Sequence, residues 1–138
     1  MSRIKEIVLV LWQFPQLILG LIFKLVLSIK YNVIKTEKYG ISYYSVKGWK
    51  NGISLSPYFI LLDDDYYSNV TIKHESGHAQ QSKRLGIFYL IIIGLPSISG
   101  NIFDRLFHKK WEPKKRILWY YNLPWEKWAD SYYGIRRG

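Results

Sequence analysis

His74-Glu75-Ser76-Gly77-His78 is the stretch from which the rest of the chain is read. On an α-helix, residues four apart lie one above the other on the same face. His74 and His78 can then offer two imidazoles to one metal ion. Glu75 lies beside that face, within reach of a metal-bound water and poorly placed to be a main ligand. The surroundings favour a helix here. Ser68 or Asn69 suits an N-cap, Val70, Ile72, Ala79 and Leu85 carry the apolar positions, and Gly86 is a natural stop. His74, His78, Gln81 and Leu85 form one stripe at steps of four and three. Just upstream, Tyr58-Phe59-Ile60-Leu61-Leu62 reads as a buried strand ended by Asp63-Asp64-Asp65.

A catalytic zinc site usually has three protein ligands and a water, so a third ligand, histidine or carboxylate, is expected downstream. Downstream candidates for the third ligand are Asp104, His108, Glu112, Glu126 and Asp130. Glu126 is preferred. Pro124 fits the first turn of a helix that continues through Trp125 to Tyr132, and Glu126 and Asp130, four apart, share a face. One can bind metal while the other holds a ligand histidine through its second ring nitrogen. The plainer readings are a first-turn acid favoured by the helix dipole for Glu126, and an ion pair with Arg136 or Arg137 for Asp130. His108, in the basic stretch from Arg105 to Lys110, is expected to face solvent or a membrane surface.

His74-Glu75-x-x-His78 followed by Glu126-x-x-x-Asp130 resembles the gluzincin pattern of zinc metallopeptidases. The resemblance implies His74, His78 and Glu126 as ligands of one Zn²⁺, Glu75 as general base, and Asp130 as the carboxylate bracing the first histidine. The chain also resembles small uncharacterised bacterial membrane-associated proteins. They share Lys73-His74-Glu75-x-Gly77-His78-x-x-Gln81-Ser82, Leu85-Gly86-x-x-Tyr89-Leu90, Gly94-Leu95-Pro96-Ser97 and Glu126-x-x-Ala129-Asp130. That wider resemblance covers most of residues 40–134 and brings no established substrate, whereas the gluzincin resemblance implies a small zinc metallopeptidase acting on a peptide or protein. The chain departs from larger gluzincins in lacking a substantial second domain and an assignable oxyanion-binding tyrosine or histidine. Tyr132 and Tyr133 are candidates for that donor, or packing residues.

The 138 residues suggest one domain, and the absence of cysteine excludes disulfides and thiolate ligands. A net charge of +10, with 6 Trp and 12 Tyr, suits either nucleic acid or a membrane interface. No nucleic-acid-binding motif is present, so lipid is the preferred partner. Ile7 to Ile29 is almost wholly apolar and long enough for a span of roughly 20 residues. Its polar positions, Gln13, Gln16, Gly20 and Lys24, fall on one stripe, as when one helix face meets protein. Pro15 is expected to kink the helix or start a second one. A second apolar run, Leu85 to Phe103, contains Gly86, Gly94, Pro96 and Gly100. A core helix is the favoured reading there, with re-entrant or interfacial elements as alternatives.

Ile41–Val46 and Ile53–Leu62 are expected to form a β-hairpin through Asn51-Gly52, a strong turn signal. The fold class is α+β: a helical anchor over residues 1–34, and a zincin-like domain over 35–138 containing the hairpin, the metal helix, an apolar helical stretch and the Glu126 helix. Tyr31 to Gly40 is the expected joint. Ile53–Leu62 is the candidate edge for aligning a substrate strand. The competing functions are a non-catalytic metal-binding membrane protein and a basic membrane-surface adaptor. Metal content excludes the adaptor, and peptide hydrolysis separates enzyme from binder.

Overall fold

The computed structural model describes residues 2–65 and 67–137 and has the expected α+β class. Two helices lead, α1 (Arg3–Trp12) and α2 (Phe14–Lys30). Pro15 lies in the first turn of α2, where its missing N–H leaves no intrahelical bond unmade. The two helices meet at 81°, so residues 7–29 are not one straight rod.

Four strands follow: β1 (Asn32–Lys38), β2 (Ile41–Lys47), β3 (Gly52–Ser54) and β4 (Ile60–Leu62), in spatial order β1-β2-β4-β3. The expected hairpin between the second and later strands does not form. The hairpin partner of β2 is β1, antiparallel from Asn32↔Lys47 to Lys38↔Ile41. Tyr39 and Gly40 close that hairpin, both at positive φ (56° and 73°), as the tight two-residue hairpin turn requires. Within the expected joint, residues 32–38 are therefore a paired strand and Tyr39-Gly40 its turn. The span Ile53–Leu62 is not one strand but β3, a loop and β4. β4 pairs with β2 in parallel and with β3 antiparallel. All three β4 residues, Ile60, Leu61 and Leu62, are buried. An uninterrupted apolar strand belongs where both faces are covered. Gly52-Ile53-Ser54, with less to bury, takes the edge.

The metal-helix candidate is α3 (Asn69–Leu85), with Ser68 at its N-cap and Gly86 (φ 54°) ending it. It covers one sheet face, where Ile41, Tyr43, Ile60 and Leu62 meet Ile72 and Ala79. The other face, Val46 and Leu61, packs on Leu27 of α2. The sheet is thus a layer between α2 and α3. The polar stripe of the leading helices points inward. Ser82 Oγ of α3 donates to Gln13 Oε1 (2.6 Å), and Gln16 Nε2 donates to Ser82 Oγ and to the Gly86 carbonyl (both 2.8 Å).

After α3 come a 3₁₀ turn (Gly86–Phe88), a π-helical turn (Leu90–Gly94) and α4 (Leu95–Phe107), then α5 (Pro113–Tyr121) and α6 (Pro124–Ser131). The apolar run from Leu85 to Phe103 is not a core helix. Tyr89 and Ile93 are its buried large side chains, and no residue of α4 is buried. Leu95, Ile98, Ile102 and Leu106 stand on its outer surface. His108 corrects in the other direction. It is buried, stacked on Trp111 (3.6 Å between ring centroids), and its Nδ1 lies 3.0 Å from Asp104 Oδ1.

Candidate metal centre

α3 and α6 bring His74, His78 and Glu126 together. Their relative exposures are 2%, 5% and 0%, and Glu75 beside them is 8% exposed. Glu126 Oε2 lies 2.8 Å from His78 Nε2 and 3.2 Å from His74 Nε2. Three donor atoms thus converge on one point. Ligand atoms placed tetrahedrally about 2.0–2.1 Å from a zinc ion are separated by about 3.3 Å. The observed spacings are a few tenths of an ångström tighter, so the residues fit such an ion with a small outward shift.

The far side of each ligand is held. His74 Nδ1–H donates to Asp130 Oδ1 at 2.6 Å, and Asp130 Oδ2 accepts from Arg137 Nε at 2.7 Å. His78 Nδ1–H donates to Gln81 Oε1 at 2.6 Å. The Gln81 amide cannot turn over freely, because its Nε2 donates to the Trp125 carbonyl at 2.9 Å. Both rings therefore have Nδ1 committed and Nε2 facing the centre. Glu126 Oε1 accepts from Ser97 Oγ (2.5 Å) and from Tyr120 OH (2.8 Å), leaving Oε2 to the centre. Such outer partners fix ring tautomer and ligand orientation.

The electrostatics favour a cation. With Nδ1 already donating, an imidazole that also donates from Nε2 to Glu126 must be protonated. Burial works against that charge at His74, but its bonds to Asp130 and Glu126 and the field of Glu75 outweigh it, pushing the pKa up to about 9. Burial opposes ionisation of Glu126 as well, and His78 and His74 overcome it, holding the carboxyl far below its ordinary range. Burial lifts the pKa of Glu75, and the two histidines only partly offset this. The buried carboxylates of Glu126 and Asp130 need positive charge beside Arg137, which the His74 imidazolium supplies and a bound cation displacing its Nε2 proton would supply instead.

Glu75 reaches toward the sheet edge. A Cβ built on Gly52 would sit 3.5 Å from Glu75 Oε1, so β3 runs alongside that carboxylate. The other sequence candidates lie elsewhere. Asp104 is paired with Arg116 (2.8 Å) and His108, and Glu112 is exposed at the start of α5. Tyr133 OH is within 2.6 Å of Ser76 Oγ, and the Tyr132 hydroxyl is buried without a hydrogen-bond partner. Neither hydroxyl is bonded to the three converging donor atoms. In the sequence Gln81 lies on the histidine stripe with no evident role, Ser97 and Tyr120 carry no signal linking them to Glu126, and Arg136 and Arg137 are equal candidates to pair with Asp130, of which the fold uses Arg137.

Comparisons with protein-family profiles, with curated proteins and with solved structures returned no significant match. The chemistry of the site therefore rests on its own residues.

Proposed function

We propose that the protein is a small zinc-dependent hydrolase, a membrane-associated metallopeptidase of gluzincin-like design. The observation carrying this reading is the convergence of His74 Nε2, His78 Nε2 and Glu126 Oε2 with every opposite atom separately held. Bound zinc supplies Lewis acidity, acidifying water and polarising a carbonyl. Glu75, beside the ligands and not among them, takes a proton from the attacking water and passes it to the departing amine. A metal store has no use for that non-ligating carboxylate. The free side of β3 supplies main-chain groups on which an extended peptide can be aligned. Zinc analysis, followed by peptide cleavage compared between wild type and Glu75→Gln, tests the reading. Zinc without any hydrolysis supports the metal-binding alternative.

Membrane association rests on a separate observation. The outward faces of α1, α2 and α4 expose Ile7, Leu11, Ile18, Leu25, Ile98 and Leu106, among others. These are more large apolar side chains than water-facing helices normally expose. Lys109, Lys110, Lys114 and Lys115 follow α4, and Trp111 carries Lys115 Nζ 4.1 Å from its ring centroid. Apolar faces bordered by lysine and tryptophan suit an anionic lipid interface. Retention on anionic vesicles in high salt is the corresponding test.

A further inference from the structure

The free side of β3 is open at one end and closed at the other. Hydrogen bonding along an antiparallel pair alternates. Leu55 N–H donates to the Phe59 carbonyl across the β3–β4 turn, so Leu55 and, two residues back, Ile53 direct their main-chain groups to β4. Gly52 and Ser54 direct theirs outward. At Gly52 that edge is exposed and lies next to Glu75. At Ser54 it is not: Tyr89 OH donates to the Ser54 carbonyl at 2.7 Å. Tyr89 is 3% exposed and Ser54 5%, and burial continues through Leu55 and Ser56. The Ser54 side chain shares a sheet face with Gly52, the face toward α3. Its Oγ is buried with no hydrogen-bond partner. Burial and the carboxylates of Glu75 and Glu126 raise the pKa of Tyr89 well above the ordinary phenol value, so it remains a neutral donor.

We infer that this alignment edge is a blind-ended groove, with its mouth at Gly52 and its end wall at Tyr89, and that the site selects peptides having only one or two residues beyond the scissile bond on the Tyr89 side. A substrate strand can use the main-chain groups of Gly52, but pairing past Ser54 requires expelling the Tyr89 hydroxyl from the Ser54 carbonyl. A longer chain on that side meets a buried wall. The preferred substrate class is thus a peptide cleaved close to one terminus. This rests on the hydrolase reading above.

Binding of phosphinic peptides to the zinc-loaded full chain tests it without requiring turnover. One series is extended by one to four residues toward the amino end, the other toward the carboxyl end. Extension past two residues is expected to weaken binding in one series by about tenfold or more, the scale of losing one main-chain hydrogen bond plus a clash. The series affected identifies which terminus the groove takes. In Tyr89→Ala the length penalty should fall to less than about threefold, and Tyr89→Phe, which keeps the ring and frees the Ser54 carbonyl, should reduce it in part. Equal tolerance of both extensions in the wild type overturns the inference, as does an unchanged penalty in both Tyr89 variants with zinc content preserved. Failure of the wild type to take up zinc removes the hydrolase reading, and the groove assignment with it.

Discussion

Gly77 of α3 lies against the main chain of Ala129 of α6, so closely that a Cβ built on it would come 2.0 Å from the Ala129 carbonyl oxygen. The two helices cross backbone to backbone at that point, between His74 and His78 on one side and Glu126 and Asp130 on the other. At this separation the eight-residue α6 brings both Glu126 and Asp130 within bonding distance of the α3 histidines. Gly77→Ala is expected to push α6 outward, weaken zinc binding and lower stability by about 1–3 kcal/mol, as overpacking does. Gly94→Ala, where the nearest atom is 3.5 Å away, should leave zinc binding intact. Thermal melts and zinc titration of both variants check this.

Zinc should be present at about one equivalent per chain, the stoichiometry of a three-ligand open site. His74→Ala with His78→Ala should abolish it, and Glu126→Ala should weaken it severely. Glu112→Ala and Asp104→Ala should leave it unchanged. Elemental analysis and competition with a chromophoric chelator give the ranking, and full metal retention by the double histidine variant would exclude the site.

The braces should matter nearly as much as the ligands. Gln81→Leu frees the Nδ1 of His78, Asp130→Ala frees that of His74, and Ser97→Ala removes one donor from Glu126. Each is expected to lower zinc affinity on the order of 10–100-fold. A Gln81→Leu affinity equal to wild type would show that the His78 tautomer is not set there.

Glu75→Gln should keep both fold and metal while hydrolysis falls by about 10²–10⁴-fold, because an amide cannot accept the proton. The comparison is made on a mixed peptide library with zinc content matched. Undiminished cleavage by the variant would remove Glu75 as the base.

Acid should loosen the sheet through Asp64. Burial alone would raise its pKa, but Lys47, Ser45 and Tyr43 all bond its carboxylate and hold it well below the ordinary value. A depressed folded-state pKa contributes stability that is present above the unfolded value near 4 and is lost as pH falls toward the folded one. Wild type should therefore lose stability steeply below about pH 4, and Asp64→Asn should be less stable at neutrality with a flatter acid limb. Denaturant midpoints measured across that range decide it.

The converging cluster is legible in the sequence because the relevant spacings are local. Residues four apart share a helix face whatever the tertiary fold, so spacing alone pairs His74 with His78, and Glu126 with Asp130. The sheet is not legible to the same degree. Asn51-Gly52 is the stronger turn signal, yet the hairpin closes at Tyr39-Gly40, with tyrosine held at positive φ by a seven-residue ladder. Insertion of β4 between β2 and β3 follows from its uniform burial, which depends on what α2 and α3 cover. Ser97 and Tyr120 reach Glu126 from two other helices, and no spacing rule links them. His108 reads as one more basic surface residue, because the two tryptophans enclosing it are recognisable only once α4 and α5 are folded together.

Gln13 and Gln16 are bonded to Ser82, one turn beyond His78 on the same helix. The leading helices are therefore not a tether from which the rest of the molecule hangs. If lipid takes up the outer face of α2, the bilayer surface becomes a fixed reference plane and α3 is clamped at a set height from it. On the proposed membrane-associated hydrolase reading, the centre would then work as a ruler, set to bonds at one depth relative to the headgroups. A spacer of variable length between a lipid anchor and a cleavable peptide should yield a single optimum, and loosening the clamp by Gln16→Ala should broaden it.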